Sequence, residues 1–460
     1  MQISLSAKLL IFAIPAMMPN AHAAEPLEFS TTLLEEKLWE TKISDFQKSQ
    51  NAFKFKWMSA RKSRLRSLGK DILTFGEKSG ELLATSDKAG VINGVSISFY
   101  NRGDNGSMSK TQFESIYNKV ADQIATATQS RAEDKSSKGT VALTKTFWRY
   151  KNTAFQLEKS VSKANKSPEF IRLRVASLRQ SREGSSTARR STLKGNVVND
   201  SNGDVYIGSV PMVDQGRKGY CVCASAARIY QYYGRETDQH EIAQLAGSTA
   251  DSGTQINEMV SSLKKVTGKL NSRIAILYEY PKGVSSLPTA KERSSGRVRN
   301  NDYEKIMRGF KEMISDVNDY QRLAKTQKGK SIQGGSKYTK ISRDTQWGFQ
   351  QMDAFRRSCD PKIFREVMMD KSSFKRFNSK IEEYIDQGIP IAWTLNLGMF
   401  KEKGIPQIGG GHMRLIIGYN AKTGQILYSD SWGAGHEKKH MDAGEAFCMT
   451  TCLLAMPPTR

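Results

Sequence analysis

Gln215-Gly-Arg-Lys-Gly-Tyr-Cys221-Val-Cys-Ala-Ser225 is where this 460-residue chain declares its architecture. A glycine-broken loop runs into an alanine-rich stretch that ends at Gly234. Val222, Ala226, Ile229 and Tyr233 fall on one helical face and Cys223, Ala227 and Tyr230 on another, so the spacing predicts a centrally buried helix. Cys221 then stands at its N-terminus. Unpaired N–H groups and the partial positive charge there favour a thiolate, and such surroundings bring a thiol pKa from about 8.5 into the range of roughly 4 to 7. Cys223, one step inside, feels this less. Gln215 lies six positions before Cys221 across the loop, which lets its side-chain amide and the Cys221 N–H point at one oxygen. Each donor of such a pair contributes about 3 kcal/mol to holding an oxyanion.

A thiolate needs a base beside it, and the sequence supplies one two hundred residues later. His412 opens the apolar run Leu415-Ile-Ile-Gly-Tyr419, Asp430 closes Gln425-Ile-Leu-Tyr-Ser429, and Asn420-Ala-Lys-Thr-Gly424 is a turn between them. This pattern predicts a hairpin that sets His412 beside Asp430. A carboxylate there fixes the imidazole tautomer and keeps the ring cationic next to a thiolate, with Trp432 placed to cover the hydrogen bond. The glycines at 409–411 let a substrate backbone approach closely. His436-Glu-Lys-Lys-His440 has the spacing of a zinc-binding helix, but it follows Gly433-Ala-Gly435, carries two lysines, and leaves only Glu445 as a later acidic ligand. It reads as a solvated loop, and no metal or cofactor is expected. Nor does any glycine-rich phosphate loop point to a nucleotide.

Hydrophobic residues make up 38% of the chain, enough to bury real cores and to exclude a disordered or fibrous protein. Residues 1–23 carry Lys8, an apolar run from Leu9 to Met18 and Ala21-His-Ala23, the pattern of a cleavable secretory signal, so a secreted or periplasmic location is expected. The run is too short to span a membrane, and no later segment qualifies. Five cysteines, at 221, 223, 359, 448 and 452, are an odd number for an exported chain and imply at least one thiol that is free or pairs with another chain. The net charge of +24 steers the molecule toward anionic surfaces such as the cell envelope. Basic and aromatic residues interleave in Phe53-Lys-Phe-Lys-Trp57 and Trp148-Arg-Tyr-Lys151, but period-two alternation is also what a half-buried strand shows, so nucleic acid is not the expected partner.

The fold class read from these patterns is α+β, in two units. Residues 25–178 form an N-terminal α+β unit. A helix is expected over Leu33 to Trp39, strands at Glu81 to Thr85, Val91 to Tyr100, Val141 to Tyr150, Phe155 to Ser162 and Phe170 to Ser177, and a helix opened by Ser109 after the turn Asn101 to Gly106. Residues 179–204 are a basic polar linker with a protease-accessible Arg189-Arg190. Residues 205–460 hold the site, with helices over Asp302 to Leu323, after Asp360-Pro361 and over Phe374 to Ile385, a loop at Gly329 to Lys340 and a buried strand Ile391 to Leu397.

Gln215, Cys221, His412 and Asp430-Ser-Trp-Gly433, in this order and with the six-residue step from glutamine to cysteine, resemble the papain-like cysteine peptidases. The wording Val210-Pro-Met-Val-Asp-Gln-Gly, Tyr-Cys221-Val, Ala224-Ser-Ala-Ala and Tyr232-Tyr-Gly is closest to the branch of the bacterial double-glycine leader peptidases. The resemblance covers about 205–458 and implies a papain-like domain, a helical part with an antiparallel sheet. It also implies a thiol peptidase acting on protein or peptide, with Cys221 as nucleophile, His412 as base, Asp430 as orienter and Gln215 as oxyanion donor. Cys223 departs from the proline or small residue expected there, and Asp430 stands where papain has asparagine. The membrane and nucleotide-binding parts of leader-processing exporters are absent. Two other functions fit the residues: a thiol acyltransferase, transglutaminase-like or acting on cell-wall amides, and a non-catalytic basic protein that binds the envelope. The N-terminal unit is read as a pro-domain or a substrate-recruiting module.

Overall fold

The computed structural model describes residues 26–459 apart from 60–61, 70, 137–142, 163–165, 180–187, 216–219, 236, 238, 247–255, 289–291, 293–299, 329–353, 357 and 406–408. The expected signal peptide, the start of the strand from Val141 and the loop from Gly329 to Lys340 lie outside the described residues.

The N-terminal unit is built on an eight-stranded sheet in the order Lys56–Trp57, Arg64–Ser67, Glu81–Ser86, Ile92–Asn101, Pro168–Ser177, Thr153–Val161, Leu143–Tyr150 and Glu133–Asp134, antiparallel throughout. Alternating side chains such as Leu82 and Ala84, or Val95 and Ile97, are buried on one face, as period two requires. The Lys110–Thr128 helix covers that face with Phe113, Tyr117, Val120 and Ile124, and its N-cap Ser109 accepts a hydrogen bond from the Gln112 N–H at 3.2 Å.

Three stretches of this unit depart from expectation, one of them beside the aromatic cluster Phe29, Phe46, Phe53 and Phe55. The helix expected over Leu33 to Trp39 is broken at Glu35, which is extended, into Ser30–Leu34 and a 3-10 turn Glu36–Glu40. This lets Trp39 turn inward and donate its indole N–H to Thr153 at 2.8 Å. Phe53 to Trp57 is strand only at Lys56–Trp57, because Lys54 takes a left-handed conformation that sends Phe53 and Phe55 both into the core. Asn101 to Gly106 is wound as one helical turn, Arg102–Asn105.

In the second unit a six-stranded path runs Val197–Asn199, Val205–Ile207, Gly410–Asn420, Ile391–Leu397, Thr450–Ala455 and Ala275–Glu279, with Gln425–Ser429 and Lys439–Asp442 branching from Gly410–Asn420. All pairings are antiparallel. The Cys221–Tyr232 helix lies against the Gly410–Asn420 strand and the Gln239–Ala246 helix, buried through Cys223, Ala226, Ala227, Ile229 and Tyr230. Small side chains on this helix let it approach the sheet closely. Asn300–Lys328, Pro361–Met369 and Ser372–Ile385 complete the helical part, and Asp360 caps the second of these by accepting from Lys362 and Ile363 N–H groups. The whole is a mixed α+β domain preceded by a smaller α+β unit.

The expected linker over 179–204 needs correction in its second half. Arg190–Asn196 forms a 3-10 helix, Val197–Asn199 joins the second sheet, and Leu193 is fully buried in the same core as Ile389 and Ile391. The Arg190 guanidinium donates to Gln387 at 2.8 Å, which ties down one residue of the expected cleavage site. One buried leucine and two short strands are enough to fix a segment whose composition is otherwise polar. His436 to His440 is not a helix: His440 lies in the Lys439–Asp442 strand with Nε2 2.8 Å from Asp204, while the His436 ring stands edge-on to Trp432. No helix among the described residues is long and apolar enough to cross a membrane.

Candidate active site

The Gly410–Asn420 strand and the chain leaving Gln425–Ser429 deliver His412 and Asp430 to one point. Leu415 pairs with Ser429, so Arg414 and His412, two residues apart on one strand face, both reach the residue just beyond the partner strand. Asp430 is fully buried, with Oδ1 2.8 Å from His412 Nε2 and accepting the Ser431 N–H at 2.8 Å, while Oδ2 accepts Arg414 Nε at 2.6 Å. His412 also lies in hydrogen-bond contact with Cys221. Since Nε2 faces Asp430, Nδ1 is the nitrogen left for the sulfur. Trp432 stacks on the imidazole with centroids 4.7 Å apart and planes 17° from parallel, closing one side of the His412–Asp430 pair to water.

Burial alone would lower the His412 pKa. Hydrogen bonds and coulombic attraction, first from Asp430 and also from the Cys221 sulfur, outweigh it, and the ring is raised to about 9. For Asp430 burial works upward, yet His412, Arg414 and the Ser431 N–H hold the carboxyl below its ordinary value. Cys221 is only partly buried and is the first residue of the helix, directly after the N-cap Tyr220. The other cysteines differ: Cys223, Cys359, Cys448 and Cys452 are buried. Burial pushes Cys359 and Cys448 up to about 12, and Cys452 upward as well.

Gln215 is fastened to the same assembly. Its N–H donates to the Ser431 carbonyl at 2.7 Å and its Oε1 accepts from the Ser431 hydroxyl at 2.6 Å. Ser431 therefore bridges the Asp430 carboxylate and the Gln215 amide, and by holding the carbonyl end it sets which way the amide points. Cys221, His412, Asp430 and Gln215 are thus all brought to one site.

Four further residues at the site escaped the sequence reading. Arg414 is fully buried and also pairs with Glu402 at 2.7 Å, and the Tyr428 hydroxyl donates to the same Glu402 oxygen at 2.6 Å. Arg228, inside the Cys221–Tyr232 helix, donates to the carbonyls of Pro211 at 2.8 Å and Asp430 at 3.0 Å. The signal was visible for the two arginines: each is a lone charge within an otherwise apolar run, and a buried charge must find partners. Glu402 gave none, because its loop position fixes no face. Among the described residues no group of histidine, cysteine and carboxylate side chains is arranged to hold a metal ion.

The profile of the Peptidase C39 like family matches residues 207–448, more than half of the 460-residue chain. The chain belongs to the Peptidase C39 like family, and by class it is a papain-like cysteine peptidase. No match was found among curated proteins.

Proposed function

We propose that the chain is an exported thiol peptidase working through an acyl-enzyme, with Cys221, His412, Asp430 and Gln215 as its machinery. The observation that carries this is the His412 ring held between the Cys221 sulfur and the Asp430 carboxylate. The Cys221 thiolate attacks the carbonyl carbon of a peptide bond, and the oxygen, now negative, takes hydrogen bonds from the Cys221 N–H and the Gln215 amide. His412 gives its proton to the leaving amine as the C–N bond breaks, leaving a thioester on Cys221. Water then attacks that thioester and gives a proton to His412, and the thiolate leaves with release of the carboxylate product. Asp430 holds the ring throughout, and Arg414 and Ser431 hold Asp430.

Export is supported by Lys8, the apolar run after it and Ala21-His-Ala23. Incubating purified protein with a peptide library and a primary amine, then weighing the products, tests the reaction. Fragments heavier by one water are expected. Fragments carrying the amine instead would replace hydrolysis by acyl transfer, and unchanged peptides would overturn both.

A further inference from the structure

A cavity of about 890 Å³ lies between the two units, walled by the Arg64–Ser67, Glu81–Ser86 and Ile92–Asn101 strands on one side and by the segment from Tyr206 to Met212 on the other. Among the described residues five cations line it, Arg64, Arg174, Arg228, Arg235 and Lys438, against the single carboxylate of Glu437. Two of the five are neutralised by carboxylates outside the lining: Arg174 by Glu241 at 3.2 Å, and Lys438 by Asp204 at 3.3 Å. Arg228 spends its donors on the backbone carbonyls of Pro211, Ser429 and Asp430 and on the Ser429 hydroxyl. Arg64 has one neutral partner, the Gln231 side-chain oxygen at 2.8 Å, and Arg235 has no carboxylate partner among the described residues.

The same seam does not lack acids. Arg66, two residues from Arg64, pairs with both Glu81 and Asp214, and Arg172 pairs with both Glu158 and Glu241. Arg64 is thus singled out, and burial draws its guanidinium below the usual value. A half-buried guanidinium facing a cavity without a counter-ion is favourably met by an arriving anion.

We propose that this cavity is a binding site, separate from the thiol site, for a small molecule bearing phosphate or carboxylate groups. Its anionic end meets Arg64 and Arg235, whose planar forks suit both groups. Its remainder lies on the apolar wall of Leu83, Val210 and Met212. The volume matches small-molecule sites, which span roughly 300–1,000 Å³. Arg228 lines the cavity and also holds the Asp430 backbone, so the site is one side chain away from the His412–Asp430 pair.

Titration calorimetry on the full chain carrying Cys221→Ala tests this, with inorganic pyrophosphate and citrate as probes in low-salt buffer. Saturable one-site binding of at least one probe is expected, and the tighter probe tells phosphate from carboxylate. Arg64→Gln with Arg235→Gln weakens it at least tenfold, while Lys380→Gln, which removes an exposed charge elsewhere, leaves it within twofold. Val198→Trp, which crowds the exposed edge of the cavity without altering charge, gives the same loss as the arginine changes and covers the case in which those changes disturb the seam. Absence of saturable heat with both probes overturns the proposal, as does binding that survives both the arginine changes and Val198→Trp.

Discussion

The His412 imidazole sits between an aspartate and a sulfur, and both favour its charged form. Its pKa is raised from the ordinary value near 6.5 to about 9, so its contribution to stability is fully present below about 6.5 and is lost as pH rises through about 9. For Asp430 the sign is reversed: its contribution is present above the ordinary carboxylate pKa of about 3.9 and fades as pH falls through its lower folded value. Activity follows the first of these. The pH profile of kcat/KM is expected to hold to the alkaline side and drop near 9, where the ring loses the proton it must donate. Asp430→Asn should move that drop toward 6.5 and lower kcat by about 10²- to 10⁴-fold. An alkaline limit that stays in place in Asp430→Asn would show that the carboxylate does not set the imidazole pKa. Arg414→Leu strips the buried Glu402 and Asp430 of their shared cation, and breaking such a pair from one side costs about 3–5 kcal/mol. Thermal unfolding should register it as a large fall in Tm, whereas a surface ion pair would scarcely show. At this scale Cys221, His412 and Asp430 were legible because each has an element terminus and a short-range pattern to place it. Glu402 was not: its meeting with Arg414 is made by tertiary packing alone.

At the scale of elements, period and punctuation told most. The Cys221–Tyr232 helix stops just before Gly234, Asp360-Pro361 opens a helix, and the Asn420-to-Gly424 turn joins two apolar strands, each as local chemistry dictates. What pattern missed was capture of polar chain by a few anchors. Leu193 is one: its carbonyl lies 2.1 Å from where a Cβ on Gly388 would stand, and Gly388 has φ of +71°. Gly388→Ala therefore meets both a backbone clash and a left-handed conformation, the latter alone worth about 1–2 kcal/mol. A lower Tm and faster tryptic cleavage at Arg189 or Arg190 are the expected results, read by thermal unfolding and timed digestion. Wild-type values in both would mean that Arg190–Asn196 is not held against the Ser372–Ile385 end of the domain.

At the scale of the whole molecule, the N-terminal unit reaches the peptidase through arginines on its sheet. Arg66 is the most consequential, because its partner Asp214, at 2.5 Å, immediately precedes Gln215 in the chain. Losing that contact should loosen the Gln215 amide more than it weakens substrate binding. Arg66→Ala is accordingly expected to lower kcat by roughly tenfold with little change in KM, since misplacing one oxyanion donor forfeits about half of the roughly 3 kcal/mol it contributes. Steady-state kinetics on the intact chain would read this, and unchanged kcat would return the unit to the role of a detachable pro-domain. Neither this seam nor the cavity in it was legible in the sequence, because its charge pairs are far apart in the chain, 69 residues for Arg172 and Glu241 and 148 for Arg66 and Asp214, and lie on strands whose outer face carries no period of its own.

The most direct measurement is alkylation of the native protein by iodoacetamide, with peptide mapping and residual peptidase activity followed in parallel. One modification, on Cys221, that rises in step with the loss of activity is the predicted result, with the buried Cys223, Cys359, Cys448 and Cys452 unmodified. Full activity in protein alkylated at Cys221 would contradict the account at its centre.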